Sequence, residues 1–319
     1  MRELRRPRVR LPTLEDITIE YDGKVHLAPG DGGPPEDKWK NADVRGALYA
    51  MHNRVCAYCQ NLVSDRIGDV EHFRPKSTYR WLQYVFSNYL LSCRICNSYK
   101  KGSKFPRLRG ARLTHDSPQG FAEERLLLDP SVDQVEEWIT VRFDKPNCEL
   151  NAAEGIPADA AKQVTGTIEF FDLNEDDKLW DPRAEAVDET NALIDRMRAG
   201  EKALESQIRR KASLYAPHGW IVREYLRREA PEIGLPDMHE ALGWFLDTLL
   251  RRLQRAVEFH THPRTASERD DLETKRDETS WTLAVLWHDP PVGARDDVRA
   301  VIEGKNMLKY VQPNYDQLT

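Results

Sequence analysis

The sequence predicts an α+β protein, mainly helical, with a small metal-stapled unit embedded in its first half. Three observations carry that expectation. Apolar residues recur at helical steps from about Pro182 to the end. The β-branched and aromatic runs that suit strands are short and lie before that point. Four of the five cysteines form two Cys-x-x-Cys pairs, separated by the 33 residues from Gln60 to Ser92.

Composition sets the outer bounds. Charged residues make up 31% and apolar residues 40% of 319, a soluble globular balance, long enough for two domains or one elaborated domain. No run of about 18 apolar residues occurs, so no membrane-spanning helix is expected. The basic N-terminus lacks the apolar segment of a signal peptide, which points to a cytoplasmic location. The net charge of −6 is unevenly spread: residues 1–110 hold 20 Lys and Arg against 12 Asp and Glu, the remainder 27 against 41. An acidic total argues against a nucleic-acid binder. The basic first third argues for one, because the local field governs attraction to a polyanion.

Residues 1–41 are expected to form an irregular basic segment. Arg2, Arg5, Arg6, Arg8 and Arg10 open it, as an arm on nucleic acid or a segment that docks on a partner. Ile17, Ile19 and Tyr21 alternate with polar neighbours and permit one short strand. Gly30, Gly32, Gly33, Pro34 and Pro35 mark a loop. A second domain, 42–182, starts with a helix over 42–55, where Val44, Ala47, Leu48 and Met51 form an apolar stripe that feeds into Cys56. Trp138 to Phe143 is the clearest strand. A third domain, 183–319, reads as helical. Its stripes are Val187, Ile194, Met197, Leu204 and Ile208; Leu242, Phe245, Leu246, Leu249, Leu253 and Val257; a segment with Ser267 as N-cap that includes Leu283 and Leu286; and Val298, Val301, Ile302 and Leu308. These stripes read as a helical core or a partner-docking bundle.

Zinc takes four tetrahedral nitrogen or sulfur ligands, and a Cys-x-x-Cys turn offers two sulfurs to one ion. Cys56, Cys59, Cys93 and Cys96 therefore read as a structural zinc site. Closing the loop between the pairs stabilises a unit with little core of its own. In a reducing compartment, paired knuckles favour a metal over disulfides, and a redox Cys-x-x-Cys usually occurs singly. Cys148 stands alone.

Inside that loop runs Asp69-Val70-Glu71-His72-Phe73-Arg74-Pro75-Lys76-Ser77. Then come Asn88-Tyr89-Leu90-Leu91-Ser92 and Cys93-Arg94-Ile95-Cys96-Asn97, with Lys100 three residues on. These residues resemble the HNH endonucleases, whose pattern is an acidic residue plus His, then Asn, then Asn or His. Glu71, His72, Asn88 and Asn97 fall at those places. The stretch from Val70 to Ser77, the Asn-x-Leu-Leu-Ser-Cys run and the Cys-x-x-Cys-Asn-x-x-Lys run are similar to a narrower group: the PtuB-like HNH subunits of Septu-type and retron-associated anti-phage systems. Leu127-Leu128-Asp129-Pro130 and Thr167 to Asn174 resemble that group too, so the likeness covers about residues 42–200.

The resemblance implies a ββα-metal (HNH) unit stapled by zinc, a nuclease effector, and an ABC-type ATPase partner that controls it. It also assigns roles. His72 would take the proton of the attacking water. Glu71 and Asn97 would offer oxygens to one hard divalent ion, Mg²⁺ in the first instance. Asn88 would hydrogen-bond backbone across the loop and hold His72 in position. The broad superfamily commonly has Asp or His where Glu71 stands, and Asp69 could share or replace that role. Arg74, Lys76, Arg94 and Lys100 are the candidate phosphate contacts; Tyr79, Trp81 and Tyr84 could stack on bases.

DNA is the favoured substrate. RNA stays open, since the site reads a phosphodiester and not a sugar. The competing class is a zinc-ribbon scaffold without catalysis, for which Glu71, His72 and Asn97 together would have no use.

Overall fold

The computed structural model describes residues 1–319 apart from 2–3, 22–23, 26, 29, 64–68, 118–122, 145–146, 202, 261–264, 316 and 319. In chain order its elements begin with helices α1 (Pro12–Glu20) and α2 (Ala42–His52) and strands β1 (Asp69–His72) and β2 (Tyr89–Ser92). A π-helical turn (Ile95–Lys101) follows, then β3 (Arg107–Arg109), β4 (Glu124–Arg125), α3 (Val135–Trp138), β5 (Ile139–Asp144) and β6 (Asn147–Ala152). The rest is helical: α4 (Ala158–Phe170), α5 (Asp177–Arg198), α6 (Glu205–Lys211), α7 (Gly219–Glu229), α8 (Met238–His260), α9 (Ala266–His288), α10 (Arg295–Gly304) and α11 (Leu308–Tyr315). The class is α+β and mainly helical, as expected.

Two compact units alternate along the chain. Residues 1–4, 55–79 and 92–236 form the first; residues 5–54, 80–91 and 237–319 form the second. The expected divisions at 41/42 and 182/183 do not coincide with these boundaries. Helix α5 runs straight through the latter, and α2 packs against α9, which places it in the second unit. Local pattern reports helices well, but it cannot report which distant helix shares a core.

In the first unit β5 and β6 pair antiparallel, from Ile139 opposite Ala152 to Asp144 opposite Asn147. The Asn174 side chain acts as a third backbone beside them, accepting from Leu150 N at 3.0 Å and donating to Leu150 O at 2.9 Å. Leu127, Leu128, Phe171, Leu173, Leu179 and Ile208 are fully buried. Pro182 lies inside α5. A proline in a helix interior lacks the N–H that would bond the carbonyl four residues back. That carbonyl, of Lys178, accepts instead from Asn61 Nδ2 at 2.8 Å. The chain just past Cys59 is thereby tied to α5. The first apolar stripe is not one helix: α5 stops at Arg198, Gly200 adopts φ +98°, and Leu204 precedes α6.

In the second unit the expected strand around Ile17 is a helix. Leu14 and Ile17 are buried three residues apart, Ile19 is 78% exposed, and Pro12 opens the first turn. The burial period is that of a helix, and alternation over three residues could not reveal it. The basic segment is held down: Arg5 pairs with Asp289 at 2.6 Å, Arg6 donates to the Phe86 and Tyr89 carbonyls, and Arg10 pairs with Glu15. Arg2 lies outside the described residues. Helix α9 is capped by Thr265, whose hydroxyl accepts from Glu268 N at 3.1 Å, in place of the expected Ser267. Thr265 and Glu268 have the spacing of a capping box. Leu242, Phe245, Leu246, Leu249 and Leu253 are buried, as their stripe requires; the side chain of Val257 lies outside the described ones.

Helices α2 and α9 touch at Gly46. A Cβ there would fall 2.3 Å from Trp281 Cβ and 3.0 Å from Glu278 O. The contact is flanked by a buried network in which Glu278 takes Arg45 at 2.5 Å. Gly46→Ala forces these backbones apart, and we expect a loss of about 1–3 kcal/mol. Urea unfolding checks it; an unchanged midpoint would mean that the helices separate at no cost.

Candidate functional site

The four cysteines come together. Their Sγ atoms all lie within 4.8 Å of one another, with Cys59 and Cys93 at 3.7 Å. Tetrahedral zinc with bonds of about 2.3 Å needs sulfurs about 3.8 Å apart, so the spacing fits. Cys56, Cys59 and Cys96 are buried. Burial and neighbouring thiols raise the pKa of Cys59, and neighbouring thiols and burial that of Cys96; burial acts the same way on Cys56, but hydrogen bonds from the other three thiols outweigh it and lower the Cys56 pKa. An ion would claim all four as thiolates.

A second observation fits a charged cluster. Arg183 is 1% exposed, and among the described residues its guanidinium donates to neutral oxygens, Leu173 O at 2.8 Å and Asn174 Oδ1 at 3.2 Å. Burial pulls its pKa down to about 10, and the nearby Cys148 and Cys59 sulfurs oppose that. A buried cation is costly without an anion. Four thiolates around one divalent zinc leave a net negative charge on that side of Arg183.

Strand β1 ends on Glu71 and His72. Successive strand residues face opposite ways. Glu71 is 1% exposed, and its Oε1 accepts from Lys101 Nζ at 2.7 Å and Tyr58 OH at 3.3 Å. Burial raises the Glu71 pKa; Lys101 and Tyr58 work against it. Tyr58 belongs to the first cysteine turn and stacks on Phe171, ring centres 4.2 Å apart. Lys101, also fully buried, donates from the same Nζ to the His72 carbonyl at 2.9 Å. One ammonium therefore fixes the strand at both residues. His72 itself is 8% exposed.

Asn97 directly follows Cys96 inside the π-helical turn, and its carbonyl accepts from Gly102 N at 2.6 Å, a five-residue closure. Such turns carry an extra residue and are common at functional sites. Both contacts to Glu71 fall on Oε1, which leaves Oε2, and the Asn97 carboxamide has no side-chain hydrogen bond among the described residues. Both offer hard oxygens, the donor chemistry that Mg²⁺ takes. Asn88 belongs to the second unit, where its Nδ2 donates to Leu82 O at 3.2 Å. The side chain of Asp69 lies outside the described ones.

The basic residues divide. Arg74 pairs with buried Glu123 at 3.2 Å and lies over Phe105, so it serves the fold. Lys100 is held between Asp172 at 2.7 Å and Asp176 at 2.8 Å, which raises its pKa. Carboxylates 49 and more residues downstream were invisible to local reading. Arg94 is exposed over the Tyr99 ring at 5.4 Å, and Lys76 is half-buried. Tyr79 and Tyr84 are 1% and 8% exposed and cannot stack on bases as placed; Trp81 is half-buried. Tyr99, 65% exposed, is the aromatic that local reading missed. Its signal was its place two residues after Asn97 in a turn whose inner side the cysteines occupy.

Two curated relatives match. Septu protein PtuB of Bacillus mycoides (strain KBAB4) is 30% identical over 119 residues, 33% of this chain and 40% of that protein. Septu protein PtuB of Bacillus thuringiensis is 34% identical over 97 residues, 30% of this chain and 31% of that protein. Part of this chain is PtuB-like. It spans about a third to two fifths of the length of the curated relatives it matches. No family model and no solved structure matches. Among the described residues no helix is long and apolar enough to cross a membrane. The PtuB likeness agrees with the resemblance drawn from the motif residues, while the cysteine cluster and the Lys101 bridge are what the structure adds to it.

Proposed function

We propose that this protein is an HNH-type endonuclease that hydrolyses phosphodiester bonds in nucleic acid, DNA by preference. In this reading it is the effector of a cytoplasmic anti-phage defence complex controlled by an ABC-type ATPase. The observation that carries the chemistry is the Lys101 bridge, which holds Glu71 and the His72 backbone on one cation, within the loop that the four cysteines close. The PtuB likeness supports the defence role and the partner.

His72 accepts the proton of the attacking water as a neutral imidazole. A divalent ion held by Glu71 Oε2 and Asn97 Oδ1 would supply charge stabilisation at the leaving oxygen. Lys101 and Tyr58 fix the Glu71 carboxylate, and the cysteine cluster fixes Asn97 through Cys96. Arg94 and Lys76 meet substrate phosphates, and Tyr99 offers a stacking face.

His72→Ala should lower cleavage by roughly 10²–10⁴-fold, the contribution of a positioned base, with zinc content and far-ultraviolet circular dichroism unchanged. The assay presents supercoiled DNA, linear DNA and total RNA with and without Mg²⁺, using protein purified with its co-expressed ATPase. Unreduced cleavage by the variant would overturn the assignment of the base. Cleavage of RNA alone would replace DNA as substrate. No cleavage by the wild type on any arm would leave the scaffold reading.

A further inference from the structure

Residues 100–115, in the first unit, hold six Lys and Arg and no Asp or Glu. The structure divides these cations. Lys100 is claimed by Asp172 and Asp176, Lys101 by Glu71, and Arg109 by Glu124 and Asp159. Lys104, Arg107 and Arg112 are exposed, and among the described residues none of them pairs with a carboxylate. Arg107 Nη1 donates to Gly110 O at 2.7 Å, and Lys104 Nζ lies 5.6 Å from the Phe170 ring; neither contact cancels a charge. Arg107 also stands opposite Arg125 in the β3–β4 pair. Like charges so placed repel. Arg125 is neutralised by Asp133 at 2.7 Å, which leaves Arg107 for an anion from outside.

Solvated cations are common and carry little by themselves. Two further observations give these a partner. The first is their anchorage. Buried Glu123 accepts from Tyr79 OH at 2.6 Å, Arg74 Nε at 3.2 Å and Leu113 N at 3.3 Å. Arg125 lies over the Phe73 ring at 5.8 Å, and Phe105 meets that ring edge-on at 5.4 Å. The basic segment is therefore fastened, at both strands, to residues 73–79, which start directly after His72. The second is its lack of apolar surface. Among the described residues no large apolar side chain is exposed between Tyr99 and Val132. A protein partner wants an apolar centre in its interface; a sugar-phosphate backbone wants spaced cations and no such centre. We propose that the β3–β4 pair and its flanks are a nucleic-acid-binding arm, in which Lys104, Arg107 and Arg112 meet successive backbone phosphates and lead the strand towards His72. The inference rests on the reading of the chain as a nuclease and assigns that site's substrate track.

The test is fluorescence anisotropy of the full chain, without added Mg²⁺, on labelled duplex DNA, single-stranded DNA and single-stranded RNA over a range of salt. On the duplex each lost phosphate contact flattens the fall of log affinity with log salt by about 0.9. Arg107→Gln with Arg112→Gln should therefore take about 1.8 off the slope, so that between about 50 and 200 mM salt the affinity falls about tenfold less than that of the wild type. Arg109→Gln removes the same charge from the same strand, but its cation is already neutralised, and its slope should stay close to the wild type's. All three positions are exposed, and melting temperature shows that the variants fold. Equal flattening by Arg109→Gln would mean that net charge alone is felt and would overturn the proposal. So would an unchanged slope in the double variant, or no binding of any nucleic acid by the wild type. Unchanged nucleic-acid binding with loss of the co-expressed ATPase would overturn it as well, in favour of a protein-docking surface. The nuclease reading fails separately: a wild type that shows the expected slopes but cuts nothing when Mg²⁺ is added keeps the arm and loses the catalytic site.

Discussion

Replacing Cys96 by serine is expected to release the metal and to unfold the segment around it. Cys96 is fully buried, and its turn carries Asn97. Serine oxygen is a poor ligand for zinc in a thiolate set, and structural zinc contributes on the order of 10–16 kcal/mol to small metal-bound units. Losing one ligand forfeits a large part of that. What remains leaves buried Arg183, which the Cys59 sulfur influences, without an anionic cluster on that side. The measurements are zinc per chain by elemental analysis and hydrogen exchange. Zinc should fall from about one per chain towards zero, and protection should be lost from residues 55–63 and 92–104. Protection in the second unit should outlast it, because α2, α8 and α9 have their own core. Full zinc occupancy in Cys96→Ser would sink the four-cysteine site.

What could be read from sequence followed physical range. The cysteine pairs were legible because spacing alone decides whether two sulfurs can reach one ion. The motif from Asp69 to Asn97 was legible by its resemblance, and the C-terminal helices by their stripes. The partners of charged residues were not legible. Arg74 reads as a phosphate contact until Glu123 closes on it, and Lys100 until Asp172 and Asp176 do. Lys101 directly follows Lys100 and by local pattern is one more cation near the motif, yet it is fully buried. Nothing local marks it, because the extra residue of the π-helical turn, which decides which lysine points inward, is a property of backbone hydrogen bonds. Ile17 and Ile19 failed for a related reason: three residues of alternation carry too little period to separate a strand from a helix.

Lys101→Met is therefore the substitution that best separates position from charge. Methionine fills similar space but removes the ammonium from Glu71 and from the His72 carbonyl. Breaking one side of a buried pair costs about 3–5 kcal/mol, because the carboxylate is left buried and alone. The pH dependence has a definite sign. Burial already raises the Glu71 pKa, and Lys101 is the first of the groups opposing it. A carboxyl raised in the folded state favours folding below its unfolded pKa and loses that favour as pH rises through the folded one. Without Lys101 the folded pKa climbs further, so the variant should fall further behind the wild type at pH 8 than at pH 5 in chemical denaturation. Adding Glu71→Gln removes the lone charge and should return most of that stability. Cleavage should fall roughly tenfold or more below that of Glu71→Gln alone, which lacks the same ion ligand, because the His72 carbonyl still lacks its donor and the base loses its fixed place. A double variant that is stable and cuts as well as Glu71→Gln alone would show that Lys101 serves the fold alone and has no part in placing the base.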